Sequence, residues 1–193
     1  MQFCNYLTSG DKSKGAYQFS GNKSNPGDFV GINRNAAISA YGTVYVIPTE
    51  DEWYKAAYFK PDGSGYSLYA NGTDTAPVAG VQSNYYSSSP YYYIGQSWNV
   101  GSGAQEQNGT FDMMGNVWEW NESLFSTSYG SSRGVRGGSY VSSDFNLSSS
   151  FRSRSDPGME YGGIGFRVAS VPEPCSLVLL SIGGLLLRRK RRV

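Results

Sequence analysis

The body of this chain contains no long aliphatic run. From Met1 to Val171, Leu, Ile and Val come singly or in pairs, spaced by Gly, Ser, Asn and Tyr. A helical bundle needs an apolar stripe sustained over several turns in several segments, and this chain lacks the Leu and Ala for it. With 25 glycines and 16 tyrosines, the composition favours loops and short strands, with aromatic rings supplying much of the buried area. The 193 residues suit one domain plus appendages.

Against that background YGTVYVIPTEDEWYKAAYFK is the clearest local signal. Thr43 to Ile47 is a β-branched and aromatic run that predicts a strand, and Pro48 stops it. Thr49 with Glu52 has capping-box spacing, which predicts a helix over about 50–59. Trp53, Ala56, Ala57 and Lys60 share one stripe of it. In residues 1–9, Phe3, Tyr6 and Leu7 fall at helical spacing. Residues 10–42 read as loop with short extended pieces, and 62–105 as surface loop. The stretches 148–156 and 162–171 read as closing strands, with Phe151, Phe166 and Val168 inward.

The last residues are a separate module, VPEPCSLVLLSIGGLLLRRKRRV. Pro172-Glu173-Pro174 is a stiff breaker, Ser176–Leu187 is uncharged and apolar, and Arg188–Arg192 is basic. The apolar run is shorter than the roughly 20 residues that span a bilayer comfortably. It predicts a short hydrophobic helix and a marginal anchor, its basic end on the cytoplasmic side. Five of the 16 basic residues and one of the 15 acidic ones lie in 171–193, leaving 11 against 14 in the body. A mildly acidic body argues against a nucleic-acid partner.

The chain has no histidine, which excludes a His general base, a His-ligated metal and a Ser-His-Asp triad. Cys4 and Cys175, at opposite ends, are poor candidates for a disulfide; Cys4 reads as a small buried hydrophobe. GTFDMMGNVWEW, residues 109–120, sets Asp112 and Glu119 around a Gly-Asn turn and two tryptophans. Calcium takes six to eight hard oxygens from carboxylates and carbonyls, and Gly115 lets the chain turn carbonyls inward. The same residues also fit a segment whose carboxylates only cap backbone groups around a Trp-rich core, with Trp118 and Trp120 as its anchors.

Four motifs stand in order: IPTEDEWYKAA (47–57), GTFDMMGNVWEW (109–120), RGGSY (136–140) and GIGFRVA (163–169). Together they resemble the sulfatase-modifying-factor family, whose founding member is the formylglycine-generating enzyme. The resemblance covers residues 1–170, with the family's N-terminal strand region missing. It implies an α+β, irregular, loop-rich fold related to C-type lectins. It also implies structural calcium on Asp112, the carbonyls of Gly115 and Val117, and Glu119. A second family calcium site is matched by Asn84-Tyr85, but its later Asp has no counterpart among Ser87–Tyr93.

The family's oxidation of a substrate cysteine uses two copper-holding cysteines just after the GGSY motif. Here the matching positions are Ser142 and Leu147, and neither can give Cu(I) a thiolate. The His-rich iron site of the related sulfoxide synthases has no counterpart either. Arg136, Arg152 and Arg167 read as structural ion pairs or backbone braces. The tail, residues 171–193, resembles the PEP-CTERM sorting signal of exported bacterial proteins. That resemblance implies an exosortase partner, membrane contact through 176–187, and an envelope or extracellular location. No signal peptide begins at Met1, so the expected start lies upstream.

Three functions follow as expectations. The first is a non-catalytic exported binding or surface module, its Tyr/Ser/Asn loops meeting a glycan or protein ligand. The second is a formylglycine-generating-type oxidoreductase using other residues. The third is a structural exopolysaccharide or biofilm matrix protein.

Overall fold

The computed structural model describes residues 1–127 and 130–172. In chain order the elements are α1 (Gln2–Ser9), β1 (Tyr17–Phe19), β2 (Phe29–Ile32), α2 (Arg34–Tyr41), β3 (Val44–Val46), α3 (Glu50–Tyr58), β4 (Ser87–Ser88), β5 (Tyr91–Tyr92), β6 (Trp118–Thr127), β7 (Gly130–Arg136), α4 (Asp144–Leu147), β8 (Ser153–Ser155), β9 (Ile164–Phe166) and β10 (Ala169–Val171). The fold is mixed α+β and rich in loops, as expected. Two compact units are built from them, one from residues 1–46 with 168–172, the other from 47–167.

In the first unit β1 and β2 form an antiparallel hairpin, and β3 pairs antiparallel with β10, Val44 opposite Val171 and Val46 opposite Ala169. Cys4, Ala16, Tyr17, Ala37, Val44 and Val46 are buried. Helix α1 lies where helical spacing placed it, but its apolar stripe does not face the core. Phe3, Tyr6 and Leu7 are exposed, and Cys4 and Asn5 are buried instead. The Asn5 amide explains this face: Nδ2 donates to the carbonyl oxygens of Tyr17 (2.6 Å) and Lys12 (3.2 Å), and Oδ1 accepts from the Tyr17 amide (3.1 Å). A buried side chain that satisfies three backbone groups can set a helix face as firmly as a leucine. The loop expected over 10–42 contains helix α2, started by Asn33, whose side chain accepts from the Ala36 amide at 2.9 Å.

In the second unit the Thr49–Glu52 capping box forms in full, and α3 runs from it to Tyr58. Trp53, Ala57 and Tyr58 drop into the main core with Tyr69, Ala70, Tyr85, Met113, Met114 and Leu147. The main sheet has the order β8-β7-β6-β9, antiparallel except for the parallel pair β6 and β9. Strand β7 stops at Arg136 because Gly137 and Gly138 follow at positive φ, +92° and +76°. A Cβ on Gly137 would lie 2.8 Å from the Met113 carbonyl oxygen, so only glycine fits there. The expected inward Phe166 is exposed, while Phe151 and Val168 are half-buried. The hydrophobic tail segment and Cys175 lie outside the described residues. Among the described residues no helix is long and apolar enough to cross a membrane.

Candidate functional site

The loop entering β6 is built on left-handed residues. Asp112, Gly115 and Asn116 have φ of +58°, +73° and +63°. Asp and Asn tolerate that region better than other side chains, and its surroundings hold the backbone there. At Gly115 a Cβ would collide with the Asn84 carbonyl oxygen and the Ser83 hydroxyl. The Gly115 amide donates to Gly137 O (2.7 Å) and the Asn116 amide to Asn84 O (2.7 Å). Asn116 Oδ1 accepts from the Trp98 amide at 2.7 Å, and the Ser83 hydroxyl donates to Met114 O at 2.5 Å.

Met113 and Met114 carry the loop into the core, which the sequence reading assigned to the tryptophans. Trp118 and Trp120 are only half-buried, and Trp118 packs against Phe151 with ring centroids 5.9 Å apart. Strand alternation explains the exchange: Glu119 and Asn121 take the buried face at the start of β6, so Trp118 and Trp120, at the alternate positions, fall on the other.

Glu119, 6% exposed, is the electrostatic centre. Its Oε2 accepts from Trp53 Nε1 (2.6 Å) and Arg167 Nε (2.5 Å), and its Oε1 from Arg167 Nη2 (2.6 Å). Arg167 Nη2 also donates to the Phe111 carbonyl at 3.1 Å, tying both ends of the loop to one guanidinium. Burial opposes the Arg167 charge, but Glu119, Glu106 and Asp112 outweigh it and raise its pKa. Glu106 was not singled out from the sequence. It is buried, accepting from Thr110 Oγ1 (2.8 Å) and the Met114 amide (3.2 Å). Burial pushes its carboxyl up to about 7 against those hydrogen bonds. Nothing in GAQEQNGT marks this glutamate as inward.

A second ion network is a brace, as read for the arginines. Arg136 Nε donates to Glu50 Oε1 (2.8 Å) and its Nη1 to Ser149 O (3.0 Å), while Arg152 reaches the same carboxylate through Nε (2.6 Å). Burial alone would raise the Glu50 carboxyl; the two guanidinium groups outweigh it and hold it below its usual value.

The residues named for calcium fit a hard cation in part. Asp112 Oδ2 accepts from the Gly101 amide at 2.6 Å, leaving Oδ1. The carbonyls of Gly115 and Val117 accept no hydrogen bond among the described residues. Glu119 has one acceptor position left beyond Arg167 and Trp53. Among the described residues no three His, Cys, Asp or Glu side chains group as a metal site, so an ion here would rest on carbonyls, two carboxylates and water. At the second position Asn84 Nδ2 donates to Gln96 O (3.0 Å) and Asn116 Oδ1 (3.4 Å), while the buried Asn84 Oδ1 has no partner. An orphaned buried amide oxygen suits a cation or an ordered water. The adjacent Tyr85 is buried, its hydroxyl donating to Pro77 O at 2.7 Å.

The positions matched to the copper cysteines carry no thiol. Leu147 is 0% exposed within the main core, and the Tyr58 hydroxyl donates to its carbonyl at 2.9 Å. Ser142 is buried, its Oγ accepting from the Ser139 amide (3.0 Å) and lying 3.2 Å from Ser139 Oγ. A groove of about 440 Å³ nearby is lined by Trp118, Ser139, Tyr140, Arg154 and Tyr161, among others. No lining residue is a thiol, a carboxylate or an amine that could activate a nucleophile.

Residues 1–171 match the family profile described as a sulfatase-modifying factor enzyme 1-like domain. Among solved structures the chain resembles variable protein 1 of Treponema denticola, at 24% identity and TM-score 0.63 over 90% of this chain and 67% of that one. It resembles CarF at 26% identity and TM-score 0.61, over 90% and 64%. PvdO from Pseudomonas aeruginosa is 22% identical with TM-score 0.50, over 70% and 55%. At such identities the likeness speaks to fold, and the chain spans between 55% and 67% of the length of these structures. No curated protein sequence matches it.

Proposed function

The chain belongs to the sulfatase-modifying factor enzyme 1-like family, and from that premise we propose that it is a non-catalytic binding or surface module of the bacterial envelope. One observation carries the reading. Where the resemblance requires two thiolates, Leu147 is sealed in the aromatic core and Ser142 is a buried hydroxyl bonded to its own turn. A leucine offers a metal no thiolate, and no residue lining the adjacent groove is a thiol, a carboxylate or an amine. The scaffold is kept; the chemistry is not.

Calcium is part of the proposal as a structural ion. Asp112, the Gly115 and Val117 carbonyls and Glu119 would hold it, with Asn84 and Tyr85 at a second position; its role is to fix the loop. The tail completes the reading. Pro172-Glu173-Pro174, the apolar Ser176–Leu187 and the basic Arg188–Arg192 support sorting by an exosortase-type enzyme, with membrane contact through 176–187.

The test is direct. The full chain is incubated with copper and a sulfatase-motif peptide, and the peptide is followed by mass spectrometry. No conversion of cysteine to formylglycine is expected; any formylglycine product overturns the non-catalytic reading. In parallel, a screen of envelope extract at high and low calcium should return a bound component.

A further inference from the structure

A cavity of about 360 Å³ opens between residues 76–79, the β4–β5 hairpin and the start of α4. None of Asp112, Gly115, Val117, Glu119 or Arg167 lines it; of the residues named for calcium only Tyr85 does, through its ring. Its volume sits at the low end of the ~300–1,000 Å³ typical of small-molecule sites. Tyr85 forms one buried side, its ring fixed by the hydroxyl bond to Pro77 O. Tyr86 forms another, held by a 2.8 Å bond from its amide to Ser142 O. The Tyr86 ring is 38% exposed and continues outside the cavity into a tyrosine cluster. Tyr91 (72% exposed) and Tyr93 pack edge-on against it, with centroids at 6.4 and 6.1 Å. Mutually packed tyrosines present rigid amphipathic area at small entropic cost.

The polar groups narrow the ligand further. Among the described residues no hydrogen bond engages the hydroxyls of Ser87, Ser88 or Ser89. Ser143 donates to Asn146, and Asp144 Oδ1 accepts from the Phe145 amide, leaving Oδ2. The single charge on the lining is the Asp144 carboxylate, with no Lys or Arg, so phosphate and uronate ligands are disfavoured. A quaternary ammonium could use the tyrosines and the carboxylate, but it has no group for three unspent serine hydroxyls. A neutral sugar uses all three features: C–H faces against tyrosine, hydroxyls to serine, and paired hydroxyls to a carboxylate.

We propose that this cavity is a calcium-independent site for the end of a neutral glycan, with Tyr86 as the stacking platform and Asp144 as the main acceptor. The proposal rests on the binding-module reading and names its ligand class. The full chain is tested against immobilised neutral oligosaccharides ending in glucose, galactose, mannose or an N-acetylhexosamine, with uronate-ended oligosaccharides alongside, in calcium and in EGTA. At least one neutral glycan should bind in both buffers. Tyr86→Ala should weaken it at least about tenfold, as for a central aromatic contact. Asp144→Asn, at an exposed position, should weaken it without disturbing the fold. Three results overturn the site: no neutral glycan binds, neither substitution weakens binding, or choline displaces the glycan. If the panel fails while envelope extract still yields a bound component, the cavity assignment falls and the module reading survives. A formylglycine product sinks the module reading whatever the panel shows.

Discussion

The loop 109–120 and the tyrosine stretch 84–93 belong to the same compact unit but use their polar groups in opposite ways. In the first, the side-chain donors and the turn amides are spent within the protein, and the oxygens left open are those named for a cation. Glu119 holds Arg167 and Trp53, Asn116 holds Trp98, and the Gly115 amide holds Gly137. In the second, serine hydroxyls stay unspent and tyrosine rings stand in solvent. A region whose polar groups are satisfied internally specifies a shape; one that leaves them open at a rigid surface is available to a partner. Substitutions should therefore cost stability in the loop and binding in the tyrosine stretch.

The sharpest way to break that contrast is Arg167→Ala. It leaves the Glu119 carboxylate buried with only the Trp53 indole, and it should cost about 3–5 kcal/mol in denaturant unfolding. Loss below about 1 kcal/mol would mean that the ion pair does not organise the loop. Gly115→Ala follows, at about 1–3 kcal/mol, because the left-handed backbone and the Asn84 carbonyl leave no room for a methyl. Next comes pH. The Glu106 carboxyl is raised to about 7 in the folded protein, above its ordinary 4.5, so the folded state binds the proton more tightly than the unfolded chain. Its stabilisation is complete below pH ~4.5 and disappears as pH rises through about 7. Glu106→Gln should flatten that decline in a melting-temperature series; an unchanged slope would assign it to other groups.

Asp112→Ala should have a smaller effect in EGTA and abolish the calcium-dependent rise in melting temperature; Glu119→Ala, which also unpairs Arg167 and so costs stability in either buffer, should abolish the same rise. A rise that survives both removes calcium from the loop. The smallest expected effect is Tyr91→Ala, within about 0.5 kcal/mol of the parent. A larger loss would erase the distinction between the two regions.

Much of this was legible locally. The Thr49–Glu52 box, the β3 run and the ordered motifs placed α3, β3 and the family. What the sequence hid was direction. Phe3, Tyr6 and Leu7 make an apolar stripe by spacing, yet Asn5 sets the helix face through a hydrogen-bond set that no periodicity counts. Trp118 and Trp120 looked like anchors because hydrophobicity suggests the inside. Glu119 can take the inward register only because Arg167, 48 residues on, neutralises it, and a partner at that distance leaves no local trace. Glu106 went unnoticed for another reason: its partners are a hydroxyl and a main-chain amide a few residues on, and neither carries a charge to mark it.

The bond from the Tyr86 amide to the Ser142 carbonyl has a consequence for how such a chain can drift. It is made by main chain at both ends, so it is indifferent to which side chain residue 142 carries. Cysteine or serine there would hold the tyrosine stretch equally well. Position 147 is different, because shrinking a fully enclosed leucine to cysteine opens a void costing a few kcal/mol. Re-engineering an oxidase from this scaffold therefore meets an asymmetric obstacle. A thiol at 142 gives up the hydroxyl that accepts from the Ser139 amide but keeps the main-chain bond, whereas one at 147 needs the core around Trp53 and Met113 repacked to receive it.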